Sequence, residues 1–550
     1  MKLPPKVTYS LLASLVLVSI VFRYPLDFGH ETGSDTTFIH SLSDSIMQSG
    51  FAVWILHPTS YFGLYALSYP SGMPFMLASL SSTGGISLEG GMLISGVMFG
   101  IVGVLGSFTA ARAAKDDDRF ALIVALLFSI SPFFLKQTTW IGSSRGVVTA
   151  LVPSLFLVLL IYMRRSNPRH IALALILIVT MMAYHRMGEL TLFVLIAFVF
   201  AIPFHRVTQR LRFALAKYEN TFRFASTGAG FAAFLGLFYV QFLFPGVAGP
   251  NVVDQYGTGA FLSGSSFPVL LLNMAIGLGG KVGLLFPLAV VGVLRYVWKR
   301  PKEDRDKFLL VAAFIVVPLL SLRDYIAEFL VFTFVILIVL ALLPRRDSLT
   351  KRRVAAAALV FVLLLGAVGF SWYMKDYWRE RYYSDSAIPD DLYSTGVYLR
   401  WRADANIISN EGMSAGRAAA VSGRPVLPIG GASIHWTGPQ QLTFGFVDPS
   451  SVGVRALPLT SISFQTDEIF LPVGVPNAKD DYELVFYNDF GTRNTELTLL
   501  HYDVRYLLLT NSRPTEFQSY IWRDAPFLRG ALENTYQLYD SGANSVWFLG

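Results

Sequence analysis

A succession of apolar runs, each roughly 17 to 22 residues long, constrains this chain more than any other feature of its sequence. A helix needs ~20 residues to cross the hydrocarbon core of a bilayer, whereas barrel strands are shorter and alternate apolar with polar residues. With 53% hydrophobic and only 15% charged residues among 550, the chain reads as an integral membrane protein. Spans are expected near residues 8–23, 91–112, 120–136, 148–163, 170–184, 189–204, 225–244, 268–294, 308–321, 325–343 and 354–371. The longest of these, 268–294, suits a broken or re-entrant helix followed by a span. No small-residue cleavage site follows the first run after "MKLPPK", so that run is expected to be retained.

Lys and Arg decide orientation, because short loops rich in them stay on the cytoplasmic side. Residues 1–371 contain 30 of them, and 24 fall in segments that this topology places inside, among them "ARAAKDDDR", "RRSNPR", "RYVWKRPKEDRDK" and "RRDSLTKRR". The N-terminus is therefore expected in the cytoplasm, with the loop at 24–90 and everything after 371 outside. The net charge of +7 divides into +13 over residues 1–371 and −6 over 372–550. Membrane topology accounts for the basic surplus, and nucleic-acid binding is not needed to explain it. The absence of cysteine excludes disulfides, thiolate catalysis and Cys-ligated zinc.

Two domains follow: a multispan body over 1–371, with its large loop at 24–90, and an extracytoplasmic soluble domain over 372–550. In the second, long apolar runs give way to short alternating segments such as "DYELVFYNDFGT", "DVRYLLLTNSRP" and "YQLYDSGANSVWFLG", the pattern of an α+β or mostly β domain. The expected fold class is thus an all-α polytopic membrane protein of about eleven helices with such a domain at its C-terminus. A loop as long as 24–90 reads as a folded functional element. Within it, Phe38, Leu42, Ile46 and Met47 make a helical stripe that Gly50 ends, and Trp54, Tyr61, Tyr65 and Tyr69 suit a membrane–water interface. Four acids in the loop compete for a chemical role: Asp27, Glu31, Asp35 and Asp44.

The stretches "GSDTTFIHSLSDSIMQSGFAVWI" and "YPSGMPFMLASL" resemble the first outer loop of the C-type glycosyltransferases, which include oligosaccharyltransferase catalytic subunits and protein O-mannosyltransferases. Asp35, Phe38, His40, Gly50, Tyr69, Pro70, Gly72 and Pro74 stand where that family has its Asp, aromatic, His, Gly and Tyr-Pro positions. The resemblance implies transfer of a sugar from a polyprenyl-phosphate carrier to a glycoprotein or other envelope glycan, with Asp35 as the general base and His40 and Tyr69 near substrate.

Oligosaccharyltransferases carry a second acidic motif in the outer loop after the third span, whereas here that loop reads "LKQTTWIGSSRGVV". A divalent ion bridging a pyrophosphate wants hard oxygen ligands. The expectation is therefore a metal-independent enzyme, without cofactor, using a lipid monophosphate sugar. Its leaving phosphate needs positive charge, and Arg145, Arg186 and Arg323 each stand at the outer end of an expected span, where they either clamp the phosphate or snorkel. His185 and Glu189 flank Arg186 in a tight turn, and Lys136 and Trp140 stand near an acceptor path. "KDDDR" at 115–119 reads as a solvated inner turn. Oligosaccharyltransferase activity, lipid-linked glycan transport centred on Lys281 in "GLGGKVG", and a noncatalytic scaffold are the other readings.

Overall fold

The computed structural model describes residues 2–25, 29–50, 72–198, 278–298, 305–312, 325–343, 350–378, 387–427, 478–511 and 522–550, less a few single positions within these ranges. The chain divides into two compact units. One comprises Met1–Tyr24, Gly96–Thr139 and Ser144–Trp378; the other comprises Pro25–Ser95, Trp140–Ser143 and Arg379–Gly550. The loop that interrupts the apolar runs thus belongs to the same unit as the C-terminal segment.

The first unit is helical. Among the described residues, four helices are long and apolar enough to cross a membrane: α1 (Pro5–Arg23), α4 (Leu88–Ala114), α7 (Ser144–Arg165) and Ala355–Tyr377 within α11 (Thr350–Trp378). Shorter apolar helices are α8 (Pro168–Tyr184) and parts of α9 (Pro287–Trp298) and α10 (Tyr325–Leu342). Expected spans 225–244 and most of 308–321 lie outside the described residues, as do parts of 189–204 and 268–294.

The expected span at 120–136 is two helices, α5 (Asp118–Ser129) and α6 (Pro132–Lys136). Proline disfavours helical backbone in the residue before it, and Ser131 is accordingly extended, with ψ 132°. In the 268–294 region the helix containing Lys281 ends at Gly283, where φ is +122°, and α9 begins at Pro287. Phe128, Phe134, Phe156 and Phe332 pack as a chain of stacked and edge-to-face rings joining α5, α6, α7 and α10.

Arg23, at the end of α1, is wholly buried in this unit. Its guanidinium donates to Thr138 Oγ1 (2.8 Å), to the Ser19 carbonyl (3.1 Å) and hydroxyl (2.7 Å), and to the Ser129 carbonyl (3.2 Å). Its carbon lies 4.6 Å from the centre of the Phe134 ring. All these partners are neutral, so hydrogen bonds and the ring face replace the water that a buried charge loses. Gly100 of α4 makes the room, since a Cβ there would stand 2.5 Å from Arg23 Nε.

In the second unit α2 (Ser34–Ser49) ends at Gly50, whose φ of 78° closes the helix as the sequence predicts. Its buried stripe is Ile39, Leu42 and Ile46, whereas Met47 is 39% exposed. Leu42 and Ile46 of the expected stripe are thus buried and Met47 is not, while the side chain of Phe38 lies outside what the structure describes. α2 packs on α3 (Gly72–Gly84) and on α13 (Gly412–Ser422), so one helix from the loop and one from the C-terminal segment cover it. The interfacial aromatics Trp54, Tyr61, Tyr65 and Tyr69 lie outside the described residues.

The same unit contains a five-stranded sheet in the order β2-β1-β3-β5-β4, formed by β1 (Asn406–Ser409), β2 (Val426–Leu427), β3 (Val504–Thr510), β4 (Tyr536–Asp540) and β5 (Asn544–Phe548). β1 runs parallel to β2 and β3, and β5 pairs antiparallel with β3 and β4. Side chains alternate between the two faces. Ile407 and Leu508 join the cluster with α12 (Asp390–Arg402) and α13. Ile408 and Leu507 join the one with α14 (Ala478–Tyr487), α15 (Arg493–His501) and α16 (Pro526–Asn534). All four residues of β1 are buried, as a strand covered on both faces requires. The "DYELVFYNDFGT" segment, expected to alternate as a strand, is mostly helix α14, because Tyr482, Val485 and Phe486 fall at i, i+3 and i+4 and all enter the core.

Replacing Gly100 by Val is expected to push Arg23 out of its pocket and lower stability by about 1 to 3 kcal/mol, as overpacking does. At Gly369 of α11, by contrast, an added Cβ would meet nothing within 4 Å. Gly369→Val should leave the thermal midpoint in detergent close to wild type, and equal midpoints for the two variants would contradict this account of Arg23.

Candidate active site

Asp35 is the second residue of α2, and the chain around it is fastened by backbone bonds within the second unit. The Thr32 N–H donates to the Trp140 carbonyl (3.1 Å), and Thr32 bridges to Ile141 in parallel. The Gly142 N–H donates to Thr36 Oγ1 (3.0 Å), whose own hydroxyl donates to the Thr32 carbonyl. Gly33 permits this approach. Its φ is +97°, and a Cβ there would stand 2.6 Å from the Ile141 side chain. Gly33 is also the N-cap of α2 and supplies no side-chain oxygen to the first turn. The N–H groups of that turn and the positive end of the helix dipole therefore favour negative charge where Asp35 stands.

Just before this turn, two histidines meet two acids. His40 Nδ1 lies 2.8 and 2.9 Å from the two carboxylate oxygens of Glu31, which is 1% exposed. The Glu31 N–H donates to Glu89 Oε1 (2.9 Å), and its carbonyl accepts from the Ile388 N–H (3.3 Å). Glu89 Oε1 also takes His30 Nδ1 (3.0 Å), while the Glu89 carbonyl accepts from Trp140 Nε1 (3.1 Å). His30 Nε2 faces Asp390 Oδ1 (3.4 Å), and its ring stacks on Tyr393 with centroids 3.7 Å apart. Burial alone would lower the His40 pKa. The Glu31 carboxylate, helped by Asp44 and Glu89, outweighs burial and raises it above the ordinary histidine value.

Of the four competing acids, the structure pairs His40 with Glu31. Asp44 is half-buried one turn beyond His40 on α2, and Asp27 lies outside the described residues. In the first unit, Arg145 is the second residue of α7, with its guanidinium 3.8 Å from Glu328 Oε1 on α10. His185 caps the 3-10 turn Arg186–Glu189 by accepting the Met187 N–H (2.9 Å), so the tight turn is a hydrogen-bonded one. The side chains of Asp35, Arg186 and Glu189, and all of Arg323 and Tyr69, lie outside what the structure describes. Lys136 ends α6.

The "KDDDR" segment caps a helix. Asp117 accepts from the N–H groups of Arg119 (3.1 Å) and Phe120 (3.4 Å) at the start of α5, and Asp116 pairs with Lys2 at 3.0 Å in an exposed contact.

Sequence reading missed His30 and Glu89. Glu89 stands in the first turn of α4, 58 residues from Glu31 in the chain, and an acid at the start of a long apolar run was the one signal that pointed to it. Glu31 and Glu89 are the carboxylates brought together here, and the oxygens just described are engaged by N–H donors. Among the described residues no three His, Asp or Glu side chains converge as ligands for a cation.

The chain shares its fold with solved structures of an oligosaccharyltransferase and an arabinofuranosyltransferase. The archaeal oligosaccharyltransferase AglB from Archaeoglobus fulgidus, solved with an inhibitory peptide and a dolichol-phosphate, superposes with a TM-score of 0.52 at 14% identity, over 92% of this chain and 69% of that one. The arabinofuranosyltransferase AftD from Mycobacteria, in a mutant form, superposes with a TM-score of 0.53 at 15% identity, over 100% of this chain but 42% of that longer one. No protein-family model and no curated relative matches the chain.

The raised His40 pKa gives a sign. The pair's contribution to stability is complete below the unfolded value of about 6.5 and is lost as pH rises through the higher folded value. The wild-type thermal midpoint should therefore fall between pH 6 and pH 9 by more than that of Glu31→Gln, and parallel curves for the two proteins would contradict the pairing.

Proposed function

We propose that the protein is a membrane glycosyltransferase that moves a hexose, such as mannose, from a dolichyl- or undecaprenyl-type monophosphate carrier to a glycoprotein glycan or other envelope glycan on the outer face. The observation that carries this reading is the fastened first turn of α2 bearing Asp35, within a fold shared with solved glycosyltransferases. The structure of AglB with dolichol-phosphate supports a lipid-phosphate carrier in this fold.

A donor with a lipid tail approaches from the bilayer, and its anomeric carbon is attacked by an acceptor hydroxyl from the opposite side. Asp35 takes the hydroxyl proton as the new C–O bond forms. The bond from the anomeric carbon to the phosphate oxygen breaks, with its electron pair passing to the phosphate, and the anomeric configuration inverts. Arg145, Arg186 and Arg323 are the proposed cations that meet the charge developing on the leaving phosphate. A single carboxylate base needs no metal, so the proposed reaction is metal-independent, and the C-terminal domain is assigned to acceptor binding.

Oligosaccharyltransferase activity is the second reading, favoured by the likeness to AglB. Supplying purified protein with a polyprenyl-phosphate hexose or a polyprenyl-pyrophosphate glycan, with and without EDTA, separates the two. Consumption of the monophosphate donor, unchanged by EDTA, is expected. Consumption of the pyrophosphate alone, abolished by EDTA, would overturn the proposal.

A further inference from the structure

The Glu31–His40 pair is built more firmly than a loop contact requires, and the reaction proposed above does not use it. Glu31 reaches from the chain before α2 to the second turn of that helix and puts both carboxylate oxygens on Nδ1 of one imidazole. Its own backbone is held on both sides, by Glu89 through the N–H and by Ile388 through the carbonyl. The point from which the Glu31 side chain reaches to His40 is thereby fixed. His40 is 8% exposed. With Nδ1 engaged, Nε2 is the ring nitrogen left to meet a ligand.

A carboxylate on Nδ1 fixes the ring's orientation and favours the doubly protonated ring. The charged groups acting on His40 are Glu31, Asp44 on its own helix and Glu89 on α4, all of them acidic. Among the described residues, α3 and α13 pack most on α2; α3 has no ionisable residue and α13 has only the buried Arg417. An imidazolium N–H in a largely buried place is a strong donor to an anionic oxygen, and the most anionic oxygens of the proposed donor are those of its phosphate.

We infer that Glu31 is a positioning residue that holds His40 as an imidazolium, and that His40 Nε2–H binds the phosphate of the lipid carrier. This rests on the glycosyl-transfer reading and adds to it a binding site for the phosphate on the Asp35 helix itself. No proton has to leave the ring: the electron pair of the broken bond stays on the phosphate oxygen, which accepts the Nε2–H hydrogen bond, while the acceptor's proton goes to Asp35.

The test is binding of polyprenyl phosphate, without sugar, to the full chain in lipid nanodiscs between pH 6 and pH 9. Rising pH makes a phosphate monoester more anionic, so a loss of affinity with pH has to come from the protein. Wild-type affinity is expected to fall across this range. In Glu31→Gln the fall should move at least one pH unit lower, with binding near wild type at the acid end, which a misfolded protein would not show. His40→Gln should bind about 10-fold or more weakly at pH 6 and lose the pH dependence, as the loss of a charge-assisted hydrogen bond implies. A flat wild-type curve, or wild-type pH dependence in both variants, overturns the inference. Asp35→Asn keeps the two readings apart. Normal sugar transfer by that variant, with the pH effect on binding intact, defeats the base assignment and leaves the phosphate site standing. Loss of transfer with no pH effect in the wild type does the reverse.

Discussion

The bond from the Thr32 N–H to the Trp140 carbonyl, with the Gly142 N–H on Thr36, is the constraint on which the proposed site depends. These bonds tie two segments more than a hundred residues apart in sequence, and between them they fix the entry of α2. A carboxylate at the second position of a helix is held to within the freedom of its own side chain once the helix start is fixed. The residues that make this close approach tolerable are small or of unusual backbone: Gly33 at φ +97° beneath Ile141, and Trp140 at φ 46°. Trp140 also hands its indole N–H to the Glu89 carbonyl, so the same residue fastens the start of α4.

Charge in this second unit is arranged in pairs around that strap. Glu31 with His40, and Glu89 with His30, bring two acids and two bases together although Glu89 stands 58 residues from Glu31 in the chain, and His30 extends the set to Asp390 and Tyr393. Buried ionised groups are costly unless each has a partner, and here each carboxylate has one. The first unit solves a similar problem differently. Arg23 has no acid among the described residues it touches and relies on three oxygen-bearing neighbours and an aromatic face.

Much of the membrane body was legible because it is written in the length of apolar runs. α1, α4, α7, α10 and α11 follow those runs closely. A run cannot show a break made by one residue: Pro132 splits the stretch after α5 although hydropathy continues through it. Short segments of the tail are harder to read, since "DYELVFYNDFGT" carries apolar residues that serve a strand or a helix, and only the helical neighbours of α14 decide between them. Gly50 and the presence of α2 were readable from local sequence. The exposure of Met47 was not, because which side of the helix is covered depends on α3 and α13. His40 stood out in the sequence, but its partner did not: Glu31 precedes the helix by a few residues, and Glu89 comes from a different run altogether.

The central claim is that one carboxylate, on a helix start fastened from outside the helix, performs the proton transfer. Single-turnover transfer from a polyprenyl-phosphate hexose by Asp35→Asn, compared with wild type at equal donor occupancy, tests it most directly. The account predicts a fall of about 10²- to 10⁴-fold, the usual contribution of a general base, with donor binding retained and an inverted anomeric centre in the wild-type product. Transfer by Asp35→Asn within a few-fold of wild type, or retention of configuration, would contradict it.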